Sequence, residues 1–324
     1  MKAAYYERNG SARDVLRVGE VPTPQAGPGE VRVKLATSGV NPSDVKARQG
    51  SRKIAWPQLI PHCDGAGVID QAGDGVPQSR IGERVWVWNG QWQRPSGTAA
   101  EFIVLPAVQA VKLPDSVGFD VGACLGIPAM TAYHAVLLAE IGKGSVVLVT
   151  GGAGAVGQYV IQFAKAAGAT VIATVSSPDK AALAREVGAD HTIDYRSEDV
   201  PARVMAITGN KPIDAIIDMD IASNAKYVAG VLKAKGNVIV YGTSNPQATI
   251  PAGFGIPNAT RYQFFIVYEI TAAERERVVT AITRALESGT LKHRIAPHTF
   301  RLGDIVAAHE AVEKVSVGNV VITI

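Results

Sequence analysis

The stretch Val146-Val-Leu-Val-Thr-Gly151-Gly152-Ala153-Gly154-Ala155-Val156-Gly157 constrains the fold more than any other part of the chain. It runs on into Gln158-Tyr-Val-Ile-Gln-Phe-Ala-Lys-Ala-Ala167, so an apolar, β-branched strand flows into a glycine-rich turn that opens a helix. Gly152, Gly154 and Gly157 have the G-x-G-x-x-G spacing of a dinucleotide-binding turn. The first glycine permits the tight turn, the second lets backbone approach a pyrophosphate, and the third lets helix pack on strand. Phosphate then meets unpaired N–H groups at the positive end of the helix dipole. Residues 152–157 are therefore expected to hold a dinucleotide.

The next strand, Thr170-Val-Ile-Ala-Thr-Val175, narrows the choice of dinucleotide. A fold built for NAD places an Asp or Glu at the end of this strand to bind the ribose 2′-hydroxyl. Here that end reads Ser176-Ser177-Pro178-Asp179-Lys180. A carboxylate would repel a 2′-phosphate, whereas hydroxyls and an ammonium attract one. The expected cofactor is NADPH, held by Ser176 and Lys180, with Tyr195 and Arg196 as further donors after the third strand. Lys180 could equally be a solvated helix residue.

Composition excludes several function classes. The formal net charge of +3 over 324 residues is small and unclustered, giving no case for nucleic acid or an acidic membrane. No segment has the uncharged length of a bilayer span, and the N-terminus lacks an apolar leader core. Two cysteines, Cys63 and Cys124, make no disulfide framework. A reduced, cytoplasmic protein is expected.

The chain reads as an α/β protein in three blocks. Residues 1 to about 120 alternate short β-like runs with Pro- and Gly-rich turns: Glu30–Leu35, 67–70, Arg84–Trp88 and Ala100–Val104. That pattern suggests a mostly antiparallel, β-barrel-type domain. Residues 121–267 alternate strands (146–150, 170–175, 191–194, 213–218, 237–241) with helices, the pattern of a doubly wound parallel sheet. The remainder, 268–324, holds a helix over Ala272–Gly289, a second near 302–315 and a strand over Asn319–Ile324. This tail is expected to rejoin residues 1–120, leaving a cleft for cofactor and substrate between the domains.

A series of short segments runs the length of the chain: Gly29-Glu-Val-Arg-Val-Lys, Gly39-Val-Asn41-Pro-Ser-Asp44, Asp64-Gly-Ala-Gly-Val-Ile, Gly82-Glu-Arg-Val and Gly97-Thr-Ala-Ala-Glu. Further along come Pro128-Ala-Met-Thr131-Ala-Tyr133, the glycine turn, Lys180, Gly188-Ala-Asp190, Asp194-Tyr195-Arg196 and Val240-Tyr-Gly242. In their order and spacing the whole chain resembles the medium-chain dehydrogenase/reductase superfamily, in its zinc-free quinone oxidoreductase (zeta-crystallin-like) branch. The resemblance implies a GroES-like domain (1–120 with 268–324) beside a Rossmann domain (121–267), and hydride transfer from NADPH to quinones or other conjugated carbonyls.

Zinc-dependent relatives place Cys, His and Cys where this chain has Asn41, Cys63 and Ile127, and they carry four further clustered cysteines that are missing here. A catalytic zinc needs about three protein ligands, so no metal is expected. The adjacent His62-Cys63-Asp64 reads as a turn lining the cleft, since neighbouring side chains of an extended segment diverge. Without a metal, donors must meet the oxygen on which charge develops. The family pattern Asn-x-x-Asp/Glu-x-Tyr stands here as Asn41-Pro-Ser-Asp44-Val-Lys46. Asn41 and Asp44 match; Lys46 replaces the tyrosine, and could offer a cation to oxyanion or phosphate, or face solvent. Asn41 could also be only a turn cap.

The resemblance further implies cofactor contacts at Thr131, at Tyr241-Gly242-Thr243-Ser244 beyond a strand's carboxyl end, and along Phe265-Ile266-Val267. The segment Phe264–Tyr268 reads as a sheet edge that pairs across a two-fold, giving a homodimer, or as a buried core strand. Asn319 stands where relatives carry Lys or Arg near a phosphate. Walls of the substrate pocket are expected from Gln49–Pro57, Trp88–Gln93 and Asn245–Tyr262, the last a mobile segment. Trp56, Trp88 and Trp92 are either a platform for a flat acceptor or ordinary packing. Three functions stay open: a quinone reductase, a conjugated enal or enone reductase with Tyr133 or Tyr241 as proton donor, and a non-catalytic NADPH sensor.

Overall fold

The computed structural model describes residues 1–314 and 317–324 and divides the chain into two compact units, 1–127 with 283–324 and 128–282. The sequence reading set these boundaries near 120 and 267. The observed division between 282 and 283 falls inside the helix Ala272–Glu287.

The first unit opens with a hairpin of β1 (Lys2–Tyr5) and β2 (Arg17–Glu20). Its main sheet uses β3 (Glu30–Val40), β4 (Asp64–Ala72), β5 (Arg84–Val87), β6 (Phe102–Pro106) and β7 (Ala110–Lys112). In β3 the alternation is real: Val31, Val33 and Leu35 point inward and pack with Ile69, Val85, Val87, Ile103 and Leu105, as a half-buried antiparallel strand requires. β3 pairs with both β4 and β6, and its end places Gly39 opposite Asp64.

The second unit is a single six-stranded sheet of β8 (Val146–Val149), β9 (Thr170–Val175), β10 (His191–Asp194), β11 (Ile213–Asp218), β12 (Leu232–Val240) and β13 (Arg261–Phe264). Every pair is parallel and the spatial order is β10-β9-β8-β11-β12-β13. That is the 3-2-1-4-5-6 order of a doubly wound Rossmann sheet, whose switch point lies between β8 and β11. Leu148, Ile172, Ile216 and Val238 sit in one buried cluster, consistent with central strands covered on both faces.

The edge strand departs from the sequence reading. The apolar run Phe264–Tyr268 supplies only its last residue, Phe264; Val267–Glu269 winds into a short 3-10 turn. The partner decides this: β12 ends at Val240, opposite Phe264, so the ladder has nothing further to bond. The segment 245–262 holds a helix, Ala252–Asn258, before β13.

The tail completes the first sheet through β14 (Phe300–Arg301) and β15 (Val320–Thr323), with β15 antiparallel to β3. Between them lies the helix Ile305–Glu313. The expected helical stretch near 302–315 thus begins with a 3-10 turn at Leu302–Asp304, and its last residue, Val315, lies outside the described residues. Among the described residues no helix is long and apolar enough to cross a membrane.

Candidate active site

In the Rossmann unit the glycine turn follows β8 and leads into the helix Gly157–Ala166. A Cβ on Gly157 would stand 2.3 Å from the Gly151 carbonyl oxygen, and one on Gly152 would stand 2.7 Å from the Ala173 methyl. Packing alone therefore requires both glycines. Gly154 is less confined: its Cβ would meet only the Gly151 oxygen, at a tight 3.2 Å that a small shift relieves, and a close ligand adds a second reason for its lack of a side chain. No side chain caps the helix; the Gln158, Tyr159 and Val160 N–H groups already donate to the Gly154 and Val156 carbonyls, so an anion would be met by the turn ahead of residue 158 and by the positive end of the helix dipole. Ala153, Ala155 and Val156 supply the backbone between the glycines. These features fit a pyrophosphate.

At the end of β9, Ser176 is buried and its Oγ accepts from Lys180 Nζ at 3.0 Å. Ser177 caps the helix that carries Lys180. Tyr195 follows β10, donates its backbone N–H to Val175, and is exposed. The structure thus gathers Ser176, Lys180 and Tyr195 at one corner, with no carboxylate at the strand end.

Beyond β12, the Ser244 N–H and hydroxyl both donate to Asp220, and the Thr243 hydroxyl donates to the Asn245 carbonyl. Gly242 is demanded by a close approach: a Cβ there would lie 2.3 Å from the Met219 oxygen. Thr131 is buried near the start of the helix Met130–Leu138. One turn later, His134 packs edge-on against Phe265 with ring centroids 4.9 Å apart, which brings that helix beside the Phe265–Val267 segment. Tyr241 follows β12, and burial holds its phenol well above the ordinary value. A cavity of about 610 Å³ is lined partly by the 245–251 segment, together with Ser223, Lys226 and Ser244.

A polar group that was not anticipated lies at the same carboxyl edge. Asp218, buried at the end of β11, accepts from Thr150 Oγ1 and Asn224 Nδ2, each at 2.7 Å. Burial raises its carboxyl despite those donors.

In the first unit, Asn41 caps the helix Pro42–Lys46. Its backbone N–H donates to Asp44 Oδ2 at 2.8 Å, and its side-chain Nδ2 donates to Asp64 Oδ2 at 2.8 Å. The Ile127 N–H also donates to that Asp64 oxygen, at 3.0 Å. Asp64 is fully buried and its other oxygen, Oδ1, has no hydrogen-bond partner among the described residues. Burial pushes the Asp44 carboxyl up to about 7. It pushes Asp64 well above the usual carboxylate range too, helped by the nearby Asp44 charge. Asn41 is thus clamped between two carboxyl groups that favour their neutral forms, with its second amide hydrogen left to donate.

Lys46 is exposed at the far end of that helix, two residues past Asp44. Asn319 is turned to local backbone: its side-chain N–H₂ and its main-chain N–H both donate to the Arg294 carbonyl. His62-Cys63-Asp64, expected as a turn lining the cleft, is a fully buried segment in which His62 takes a left-handed φ of 78° and Asp64 begins β4. Of the tryptophans, Trp56 packs on the core beneath the tail and Trp92 lies under the Arg52 guanidinium at 4.8 Å. Trp88 is buried.

Residues 27–115 match the model of the alcohol dehydrogenase GroES-like domain, and residues 155–284 that of the zinc-binding dehydrogenase family. Rat quinone oxidoreductase is 31% identical over 298 residues, spanning 90% of this chain and 86% of the rat protein. The chain belongs to the quinone oxidoreductase family of medium-chain dehydrogenases/reductases. The 2-haloacrylate reductase of a Burkholderia species is 29% identical over 324 residues, 96% of this chain and 94% of that protein. Among solved structures, Escherichia coli quinone oxidoreductase complexed with NADPH superposes with a TM-score of 0.89 at 25% identity, all of each chain being covered. The family's two-part architecture, a GroES-like part and a Rossmann part, is the fold of this chain.

Proposed function

We propose that this protein is an NADPH-dependent reductase that delivers hydride to a quinone without a metal. One observation carries the choice of cofactor: the Ser176–Lys180 pair stands where an NAD-binding fold carries a carboxylate. The glycine turn and the uncapped helix behind it would hold the pyrophosphate, with Tyr195 beside the 2′-phosphate. Thr131, Tyr241–Ser244 and Phe265–Val267 line the nicotinamide end. Bound NADPH supplies a hydride to an electron-poor carbon of the acceptor. The protein's task is to stabilise the oxygen that gains charge, and a fixed amide donor does so without reorganising. Asn41 is such a donor, with one N–H committed to Asp64 and one free to turn to the acceptor. Asp44 keeps it in place and holds a proton to near neutral pH.

The zinc-free reading rests on donor chemistry. Asn41, Cys63 and Ile127 occupy the positions where zinc-binding relatives have Cys, His and Cys. Asn41 and Ile127 bring neither thiolate nor imidazole, so of the three positions only Cys63 carries a side chain of a zinc ligand, short of the three a catalytic zinc needs. We assign the catalytic unit to 1–120 with 268–324 and the cofactor unit to 121–267, and place the protein in the cytoplasm. The assembly is a homodimer formed through β13: the strand is a sheet edge, and Phe264 and Ile266 beside it are 62% and 48% exposed.

A second reading, reduction of an α,β-unsaturated carbonyl, is favoured by the end-to-end likeness to a 2-haloacrylate reductase. It needs a proton at the α-carbon, with Tyr133 or Tyr241 as the donor; burial raises the Tyr241 phenol, which weakens it as an acid. The test is NADPH oxidation against a panel of quinones, enones and haloacrylates. Turnover ranked with quinones first is the expected result. Enones first selects the second reading, and tight NADPH binding without any turnover leaves a sensor and refutes both.

A further inference from the structure

Beneath Asn41 lies a set of buried polar side chains that the proposed chemistry does not use: Ser38, Arg48, His62, Thr98 and His309, all at 0% exposure. Their hydrogen bonds can be read in only one direction. Arg48 Nε donates to His309 Nδ1 at 3.4 Å. A guanidinium cannot accept, so that ring nitrogen carries no proton and His309 is protonated on Nε2. His309 Nε2 faces His62 Nε2 at 3.0 Å, where only one proton fits. His62 must therefore hold its own proton on Nδ1 and donate it to Ser38 Oγ at 2.8 Å. The Ser38 hydroxyl passes to Thr98 Oγ1 at 2.8 Å, because the Thr98 hydroxyl is already given to the Asp64 carbonyl at 2.5 Å.

The outer end is anchored by charge, since Arg48 also binds the Glu313 carboxylate and the Gly10 carbonyl. The inner end is Asp64, whose side chain holds Asn41. An arginine does not release protons at physiological pH, so this row does not relay protons from solvent. It has one arrangement only, and a network with every member satisfied rigidifies what it touches. His62 holds a left-handed backbone at φ 78°, with its carbonyl taken by the Thr98 N–H; such conformations persist where the surroundings over-determine them.

We propose that Ser38, Arg48, His62, Thr98 and His309 are positioning residues: a one-way row of five hydrogen bonds that holds Asp64 and, through it, the Asn41 carboxamide in place for hydride transfer. This rests on the reading of Asn41 as the acceptor's donor.

Two measurements on the whole protein test it. In protein labelled with ¹⁵N-histidine, His309 is expected as the Nε2–H tautomer and His62 as the Nδ1–H tautomer, both neutral at neutral pH. The reversed pair, or a charged ring, would overturn the assignment. In the second, Thr98→Val removes the hydroxyl at constant volume while Thr98→Ser retains it. Thr98→Val should lower kcat roughly tenfold by misplacing the donor, leave the KM for NADPH unchanged, and shift the Asn41 side-chain amide resonance. Thr98→Ser should restore both kcat and resonance. Ser38→Ala, which cuts the row one step away, should repeat the effect and serves if Thr98→Val does not fold. A wild-type kcat and an unmoved Asn41 resonance in the cut variants would refute the positioning role. If the wild-type protein reduces no acceptor, the proposed function fails, and the Asn41 resonance alone then decides for or against the row.

Discussion

Replacing Asp44 by Asn should change how stability depends on pH, and the structure sets the size of the change. Asp44 is buried, accepts the Asn41 N–H, and has its carboxyl raised from 3.8 to about 7. The folded protein therefore holds a proton that the unfolded chain has already released. The stability Asp44 contributes is complete below pH 3.8 and is lost as pH rises towards about 7. At about 1.4 kcal/mol per pH unit, the interval between those two values gives a ceiling of about 4 kcal/mol. Asparagine keeps the amide acceptor but never ionises. The stability of Asp44→Asn minus that of wild type should therefore grow with pH and level off above neutrality. Asp64 adds to the effect, because the Asp44 charge is one cause of its own upward shift and the two titrate as a pair. Urea unfolding of both proteins at steps from about pH 4 to about pH 8 measures the difference. A difference that stays constant, or shrinks with rising pH, would refute the reading of Asp44 as a proton-holding group.

Four further outcomes are expected. Gly157→Ala should lower Tm and cost about 1–3 kcal/mol by overpacking, because its Cβ would meet the Gly151 oxygen at 2.3 Å. Gly154→Ala, with its nearest neighbour at 3.2 Å, should keep a near-native Tm yet lose NADPH affinity by titration calorimetry; equal Tm losses would show that Gly154 is structural. Ser176→Asp should raise the KM for NADPH by roughly ten- to hundredfold through repulsion of the 2′-phosphate and leave NADH little changed; equal losses would remove Ser176 from the cofactor site. Asn41→Ala should lower kcat by about a hundredfold or more, as loss of an oxyanion donor does, and a kcat near wild type would assign Asn41 to the helix cap alone.

The Rossmann unit was legible because its signals are local. An apolar strand, a glycine turn and a helix follow one another without interruption, and the missing carboxylate after β9 is a single position. The edge strand was misread because an apolar run looks the same whether paired or not; the length of β12, not the run itself, ends the ladder at Phe264. Asp64 was quoted as part of a turn and at the head of a family-like segment, but not as a partner of Asn41. Its partner Asn41 is 23 residues away, and only the antiparallel register of β3 on β4, with Gly39 opposite Asp64, brings them together. The pairing of His62 with His309 spans 247 residues, from the head of β4 to the tail helix, and no spacing rule reaches that far. Asp218 did carry a signal, an acidic residue closing an apolar parallel strand, where ligands gather at carboxyl ends.

The central claim, a metal-free reductase specific for NADPH, is tested most directly by measuring kcat/KM with NADPH and with NADH against one quinone, using protein dialysed against a chelator. The account predicts undiminished turnover after chelation and a preference for NADPH of at least about tenfold, the worth of a single well-placed phosphate contact. Equal use of the two nucleotides, or activity that returns only when zinc is added, would contradict it.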